Sequence, residues 1–167
     1  VKNRFFYQAY PIQLNIVRLF NLDSSFYDTL ANDPFLRNAY QDHFDLGSGL
    51  QLYYTTNTES IPTTSFFYSR FQFDIAGNLL SAFNDLMARD ANGSRMIWDT
   101  PYSQFVRGEF TIGKTWVFGK NSGQSIATRF LAGAGFAYGN STALPFEKHF
   151  YGGGSNSLRG WQARTVG

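Results

Sequence analysis

Gly108, Gly113, Lys114 and Thr115 satisfy G-x-x-x-x-G-K-[ST], the spacing by which a glycine-rich loop wraps phosphate oxygens while a lysine reaches the terminal phosphate. That chemistry needs a strand before the loop, a helix after it, and backbone N–H groups turned toward the anion. Here the intervening Glu109, Phe110, Thr111 and Ile112 are strand formers. Trp116, Val117 and Phe118 then run straight into Gly119, Asn121, Ser122 and Gly123, with no room for a helix. The motif therefore reads as part of a strand, and no nucleotide is expected. The two histidines are His43, flanked by Asp42 and Asp45, and His149, beside Lys148. Neither shows ligands at matched spacing, so no metal is expected. Ser155 lacks the G-x-S-x-G elbow of a hydrolase, and there is no cysteine to serve as nucleophile, ligand or disulfide. No catalytic residue, no enzyme activity and no cofactor is expected. The remaining residues of chemical interest are the charges Arg70, Asp74, Arg107, Glu109 and Arg129, and a Gly/Ser/Asn-rich stretch near the end that contains Arg159.

Those charges are few. Among 167 residues there are 14 basic and 12 acidic side chains, 16% in all, against 19% aromatic with 18 Phe, 10 Tyr and 3 Trp. Disorder requires the opposite balance. A net charge of +2 without a Lys/Arg cluster gives nucleic acid no electrostatic footprint. The longest uncharged stretches, 46–58 and 130–146, are broken by Gly, Asn, Thr or Ser, so neither reaches the ~18 apolar residues of a spanning helix. The chain begins at Val1 without an initiator Met or a leader pattern, and it reads as a piece of a longer protein.

The apolar residues recur with a period close to two, which puts one face of an extended segment in grease and the other in water. In 6–20, Tyr10, Ile12, Leu14 and Ile16 oppose Gln13 and Asn15. In 44–56, Phe44, Leu46, Leu50, Leu52 and Tyr54 oppose Asp45, Gly47, Gly49, Gln51 and Thr55. In 67–79, Phe67, Phe71, Phe73, Ile75 and Leu79 oppose Tyr68, Arg70, Gln72, Asp74 and Asn78. In 105–118, Val106, Phe110, Ile112, Trp116 and Phe118 oppose Arg107, Glu109, Thr111 and Thr115. In 124–138, Ile126, Phe130, Ala132, Ala134, Phe136 and Tyr138 oppose Arg129, Gly133 and Gly135. Alternation alone fits any half-buried antiparallel sheet.

Length and loop order narrow the choice. The segments run roughly 13 to 15 residues, against about 5 to 6 in an ordinary sheet and about 9 to 11 for a tilted membrane strand. Connections alternate: long at 21–43, short at 59–62, long at 82–104, short at 119–123, long again from 139. Outer-membrane barrels place short turns on the periplasmic side and long loops outside. Aromatic clusters at Phe5, Phe6 and Tyr7, at Phe66, Phe67 and Tyr68, at Tyr53 and Tyr54, and at Trp116 and Phe118 all fall at the short-turn end, where an interfacial girdle belongs. The expected fold is all-β: part of a transmembrane antiparallel β-barrel with long extracellular loops, its polar face turned to the lumen. Lys114 shares the lipid-facing parity and is expected to snorkel to the periplasmic rim. Ser24 or Ser25, and Asp33 with Pro34, are expected to start short helices in the first long connection. Small residues of the inward parity, Gly47, Gly49, Ala76, Gly113, Gly133, Gly135 and Ala137, leave space against the wall, and strand glycines mark close approach of another segment.

Beyond the fifth segment, Leu158, Arg159, Gly160 and Trp161, preceded by Phe150, Tyr151, Gly152, Gly153, Gly154, Ser155, Asn156 and Ser157, resemble the sixth extracellular loop of the BamA/TamA family of outer-membrane assembly barrels. The wider string Pro145, Phe146, Glu147, Lys148, His149, Phe150 is most similar to its TamL-like branch. The resemblance implies a barrel of about sixteen strands, following periplasmic POTRA repeats, of which this chain supplies five. It divides the chain into barrel strands over 1–141 and the sixth loop over 142–167. It also implies that this loop folds back into the lumen. Arg159 would be the anchor, Gly160 would permit close approach, Trp161 would pack alongside, and Gly152, Gly153 and Gly154 would be the hinge. A guanidinium in such a place requires carboxylate or carbonyl partners. The expected function is insertion or translocation of nascent outer-membrane or surface proteins in the bacterial outer membrane, through a lateral seam and without ATP. The expected partners are membrane lipids, client proteins and accessory assembly subunits. The rival readings are a passive porin-like or transporter barrel and a membrane anchor for a surface domain.

Overall fold

The computed structural model describes residues 4–18, 42–59, 62–90, 93–119, 123–152 and 160. Five long strands, β1 (Phe5–Val17), β2 (His43–Thr55), β3 (Phe66–Ala76), β7 (Phe105–Phe118) and β8 (Gln124–Ala137), form one antiparallel sheet in the order β1-β2-β3-β7-β8. Among these long strands, neighbours in sequence are neighbours in space, the up-and-down order of a barrel wall. Among the described residues no helix is long and apolar enough to cross a membrane. Between β3 and β7 the chain makes a short helix α1 (Asn78–Ser81), a 3-10 turn (Asn84–Leu86) and a small sheet of β4 (Ala88–Arg89), β5 (Arg95–Ile97) and β6 (Thr100–Pro101).

The register aligns the polar positions in rows across the wall. Gly49, Asp74, Arg107 and Gly135 form one row, and Gln51, Gln72, Glu109 and Gly133 the next. The opposite face carries Leu50, Phe71, Phe110, Trp116, Ile126, Phe130 and Phe136, all exposed and with no second layer over them among the described residues. Large apolar side chains left out of any core are the pattern of a lipid-facing wall.

Three sequence expectations are corrected. First, Tyr10 does not share the apolar face of Leu14 and Ile16. Tyr10 pairs with Gly49 and Gln13 with Gly47, so β1 holds one extra residue between two β2 positions. Such a bulge reverses parity. Phe6, Gln8 and Tyr10 therefore join Gln13 and Asn15 on the polar face, leaving Phe5 and Tyr7 on the other. Pro11 sits at the bulge, where a residue without an N–H is tolerated. Second, β3 stops at Ala76 and not at Leu79, because Gly77 turns into the left-handed region at φ 79° and leads into α1. Third, the aromatic clusters at the short-turn end are split by the alternation. Tyr54 and Phe67, with ring centroids 6.5 Å apart, face outward, while Phe6, Tyr53 and Tyr68 form an inner row with spacings of 6.1 and 6.3 Å. Tyr68 lies over Gly113, and the Arg70 guanidinium lies 5.9 Å from the Tyr53 ring. Lys114 keeps the expected parity, opposite Phe67 and Thr128. The helices expected near Ser24, Ser25, Asp33 and Pro34 lie outside the described residues.

At the long-connection end the insert between β3 and β7 closes over the sheet. Tyr102 and Phe105 are 1% and 2% exposed, and Phe44 packs under Trp98 in an edge-on contact at 5.9 Å. Trp98 and Asp99 both have positive φ, the backbone of a two-residue hairpin turn between β5 and β6. Asn140 joins this insert to the chain leaving β8. Its Oδ1 accepts from the Arg95 N–H at 2.6 Å, and its Nδ2 donates to the carbonyls of Arg95 and Tyr102, both at 2.9 Å.

Candidate functional site: a strap seated on the polar face

Residues 144–150, just beyond β8, double back onto the polar face of the wall. Two strand glycines receive them. Leu144 Cδ1 lies 2.7 Å from where a Cβ on Gly135 would stand, and the Phe150 ring occupies the space over Gly133. Any side chain at either position would collide with the strap, so the small residues of β8 form its seat. Pro145 leads into a 3-10 turn, Phe146–Lys148, which compacts the strap, and the His149 ring closes it with a contact of 2.9 Å from Nε2 to the Leu144 carbonyl.

Arg107 is the hub. Its Nε–H donates to the Lys148 carbonyl at 3.0 Å, Nη2 donates to Glu109 at 2.8 Å, Nη1 lies 3.5 Å from Asp74, and the guanidinium stacks 4.3 Å from the Phe150 ring centre. Gln72 Nε2 donates to the same Asp74 oxygen, Oδ2, at 2.9 Å, fixing that carboxylate. A planar cation with five donors is the side chain able to serve two carboxylates, a carbonyl and a ring face together. Arg70, Asp74, Arg107, Glu109 and Arg129 thus lie on one face. Asp74, Arg107 and Glu109 meet directly. Arg70 is instead engaged with Tyr53, and Arg129 stands opposite Gly113 at the far edge.

The strap's other attachment is Glu147. Its Oε1 accepts from Asn15 Nδ2 at 2.8 Å and lies 2.9 Å from His43 Nε2. Burial works to raise this carboxyl. The hydrogen bond from His43, one from its own backbone N–H and the charge of Lys148 outweigh that and hold it below the usual carboxylate range. Asp45 stands behind His43, with Oδ2 4.0 Å from Nε2. Among the described residues, His43, Asp45 and Glu147 thus come together, and a metal was not expected from their sequence spacing. His43 and Asp45 are neighbours on β2, but Glu147 is about a hundred residues further along, so only the return of the strap unites the three.

Leu158, Arg159 and Trp161 of the expected anchor, and Gly153 and Gly154 of the expected hinge, lie outside the described residues. Gly152 is described as the strap's exit, and Gly160 is exposed, with no atom within 4 Å of a would-be Cβ. Sequence reasoning picked out the seat glycines and the wall charges. It gave no role of their own to Glu147, two residues after Pro145, or to Asn140, beside Gly139, both in segments read as loop.

A meandering wall of long antiparallel strands, apolar on one face and lined on the other by charges that hold a returning loop, defines an outer-membrane-type β-barrel protein, here as a partial barrel. The Omp85 superfamily domain matches residues 7–167, and the chain belongs to that superfamily, whose members are outer-membrane assembly and translocation proteins rather than enzymes in general. This agrees with the BamA/TamA resemblance of the terminal segment. No curated protein and no solved structure matches the chain.

Proposed function

We propose that the chain is the middle of an outer-membrane barrel that inserts or translocates nascent outer-membrane or surface proteins, with residues 142–167 as its lumen-inserted sixth loop. The observation that carries this reading is the seating of 144–150 on the polar wall through Arg107, Gly133 and Gly135. The Asp74, Arg107 and Glu109 cluster of the wall is committed to gripping that loop. The string from Pro145 to Phe150 supports the TamL-like branch. In this reading the first and last barrel strands, neither of which is here, open laterally and offer a client strand unpaired N–H and C=O groups. The present segment holds the loop that braces the lumen, with Arg159 as its second anchor. Lipids, client proteins and accessory assembly subunits are the partners, and the bacterial outer membrane is the site of action.

The test compares client assembly with single-channel conductance in the intact protein carrying Arg159→Ala. Loss of assembly is the expected result. Assembly at the unaltered rate together with changed conductance would make the barrel a passive pore.

A further inference from the structure

We infer that His43, Asp45 and Glu147 form a binding site for a divalent transition metal of the zinc class, which ties the strap to β2. The site is independent of the assembly reading, since a passive barrel could carry it equally.

Three donor atoms suited to zinc, one imidazole nitrogen and two carboxylate oxygens, lie within 4.8 Å of one another. Bonds of about 2.0 to 2.2 Å require ligand atoms about 3.3 Å apart in a tetrahedron, so small rotamer shifts suffice. His43 and Asp45 are on one strand two residues apart, which sends both side chains to the same face, and their side chains are only 12% and 6% exposed.

A separate observation points to a missing ligand. Neither oxygen of the Asp45 carboxylate has a hydrogen-bond partner, although both are out of solvent contact. The Ser103 hydroxyl lies beside it without reaching hydrogen-bond geometry. A buried carboxylate left without donors is costly, and native structures supply a partner, water or an ion. Asp45 also helps to line a cavity of about 30 Å³, with Asn15, Asp74 and Lys148 among its other walls. Lys148 opposes a cation there, but the two carboxylate ligands outweigh it. Asn15, donating to Glu147 Oε1 at 2.8 Å, orients that carboxylate. The coordination sphere is completed by water from the partly exposed Glu147 side.

The consequence is a loop fastening that depends on metal. Glu147 belongs to the strap and the other two ligands to the wall, so the ion bridges them.

The experiment uses the intact protein in detergent, free of affinity tag and stripped with EDTA, titrated with zinc alone. One saturable, EDTA-reversible zinc per chain is expected, with His43→Gln, Asp45→Asn and Glu147→Gln each weakening it by about tenfold or more. Folding of each variant is checked by its heat-dependent shift in gel mobility. Wild-type protein gives a readout that needs no variant: zinc slows tryptic cleavage after Lys148, and cobalt gives the visible absorption of a four-coordinate N/O site. Absence of saturable zinc, zinc affinity unchanged by Asp45→Asn, or cleavage after Lys148 unaffected by zinc in the wild type would each overturn the site.

Discussion

The Nε–H of Arg107 donates to the main-chain carbonyl of Lys148 at 3.0 Å, so the wall holds the returning loop by its backbone. A backbone grip leaves the loop's side chains free for other contacts: Phe150 for Gly133, Glu147 for His43 and Asn15. The same guanidinium neutralises Asp74 and Glu109, which makes loop seating and wall stability parts of one interaction.

Arg107→Met should therefore do two things at once. Asp74 and Glu109 lose their common cation, and breaking such a pair costs about 2 to 3 kcal/mol here, less than the full buried value because Glu109 is partly solvated. The Lys148 carbonyl is also the scissile carbonyl for trypsin. Cleavage after Lys148 in detergent-solubilised protein should accelerate well beyond the change in unfolding midpoint. An unchanged cleavage rate would mean that the strap is held without Arg107.

Gly133→Leu tests the seat from the other side. Its side chain would occupy the space of the Phe150 ring, which cannot shift without leaving the Arg107 guanidinium. The variant should fold, because its strand position otherwise faces only the strap, but the loop should be released. Protease mapping should show new cuts within 144–152 while the strands stay protected. Full protection of that segment would show that the ring relocates without unseating the strap.

Asn140 offers a third measurement. One side-chain amide satisfies the Arg95 N–H and the carbonyls of Arg95 and Tyr102, and all three lie at the junction of the two long connections. Asn140→Ala removes the side-chain partner of the Arg95 N–H and the Tyr102 carbonyl, while the Arg95 carbonyl keeps the Tyr102 N–H at 3.4 Å, and should cost about 2 to 3 kcal/mol. Thermal unfolding followed by heat-dependent gel mobility should show a lowered midpoint with no change in cleavage after Lys148. A lowered midpoint accompanied by strap release would couple the insert to the strap.

The wall was legible because its evidence is periodic: every second residue of β2, β3, β7 and β8 reports which face it occupies, and rows such as Asp74 opposite Arg107 follow once the strands pair. The bulge in β1 was not. A single extra residue leaves composition and apparent alternation intact, and Tyr10 looks as apolar as Leu14. The strap's seat was half legible, since Gly133 and Gly135 announced empty space without saying what fills it. The cluster of His43, Asp45 and Glu147 was hidden, because ligands contributed by a strand and a distant loop show no local spacing.

The bulge supplies the remaining prediction, one that separates the two possible parities of β1. Tyr7 lies on the apolar face and is among the most exposed aromatic side chains at 75%, while Tyr10 packs toward Gly49 on the polar face, its Cδ2 3.5 Å from a would-be Cβ. A strand without a bulge would place Tyr10 with Leu14 and turn Tyr7 inward. In otherwise Trp-free protein reconstituted into bilayers, Tyr7→Trp should be strongly quenched by brominated acyl chains. Tyr10→Trp should be quenched little and should respond instead to a water-soluble quencher. Deleting Pro11 removes the extra residue and sets Ile12 alone opposite Ser48 while Tyr10 stays opposite Gly49, so both responses should persist, whereas in a strand without a bulge the deletion would exchange them. If Tyr10→Trp is the lipid-quenched position in the undeleted protein, the register of β1 on β2 is wrong, and with it the placement of Phe6 and Gln8 on the inner wall.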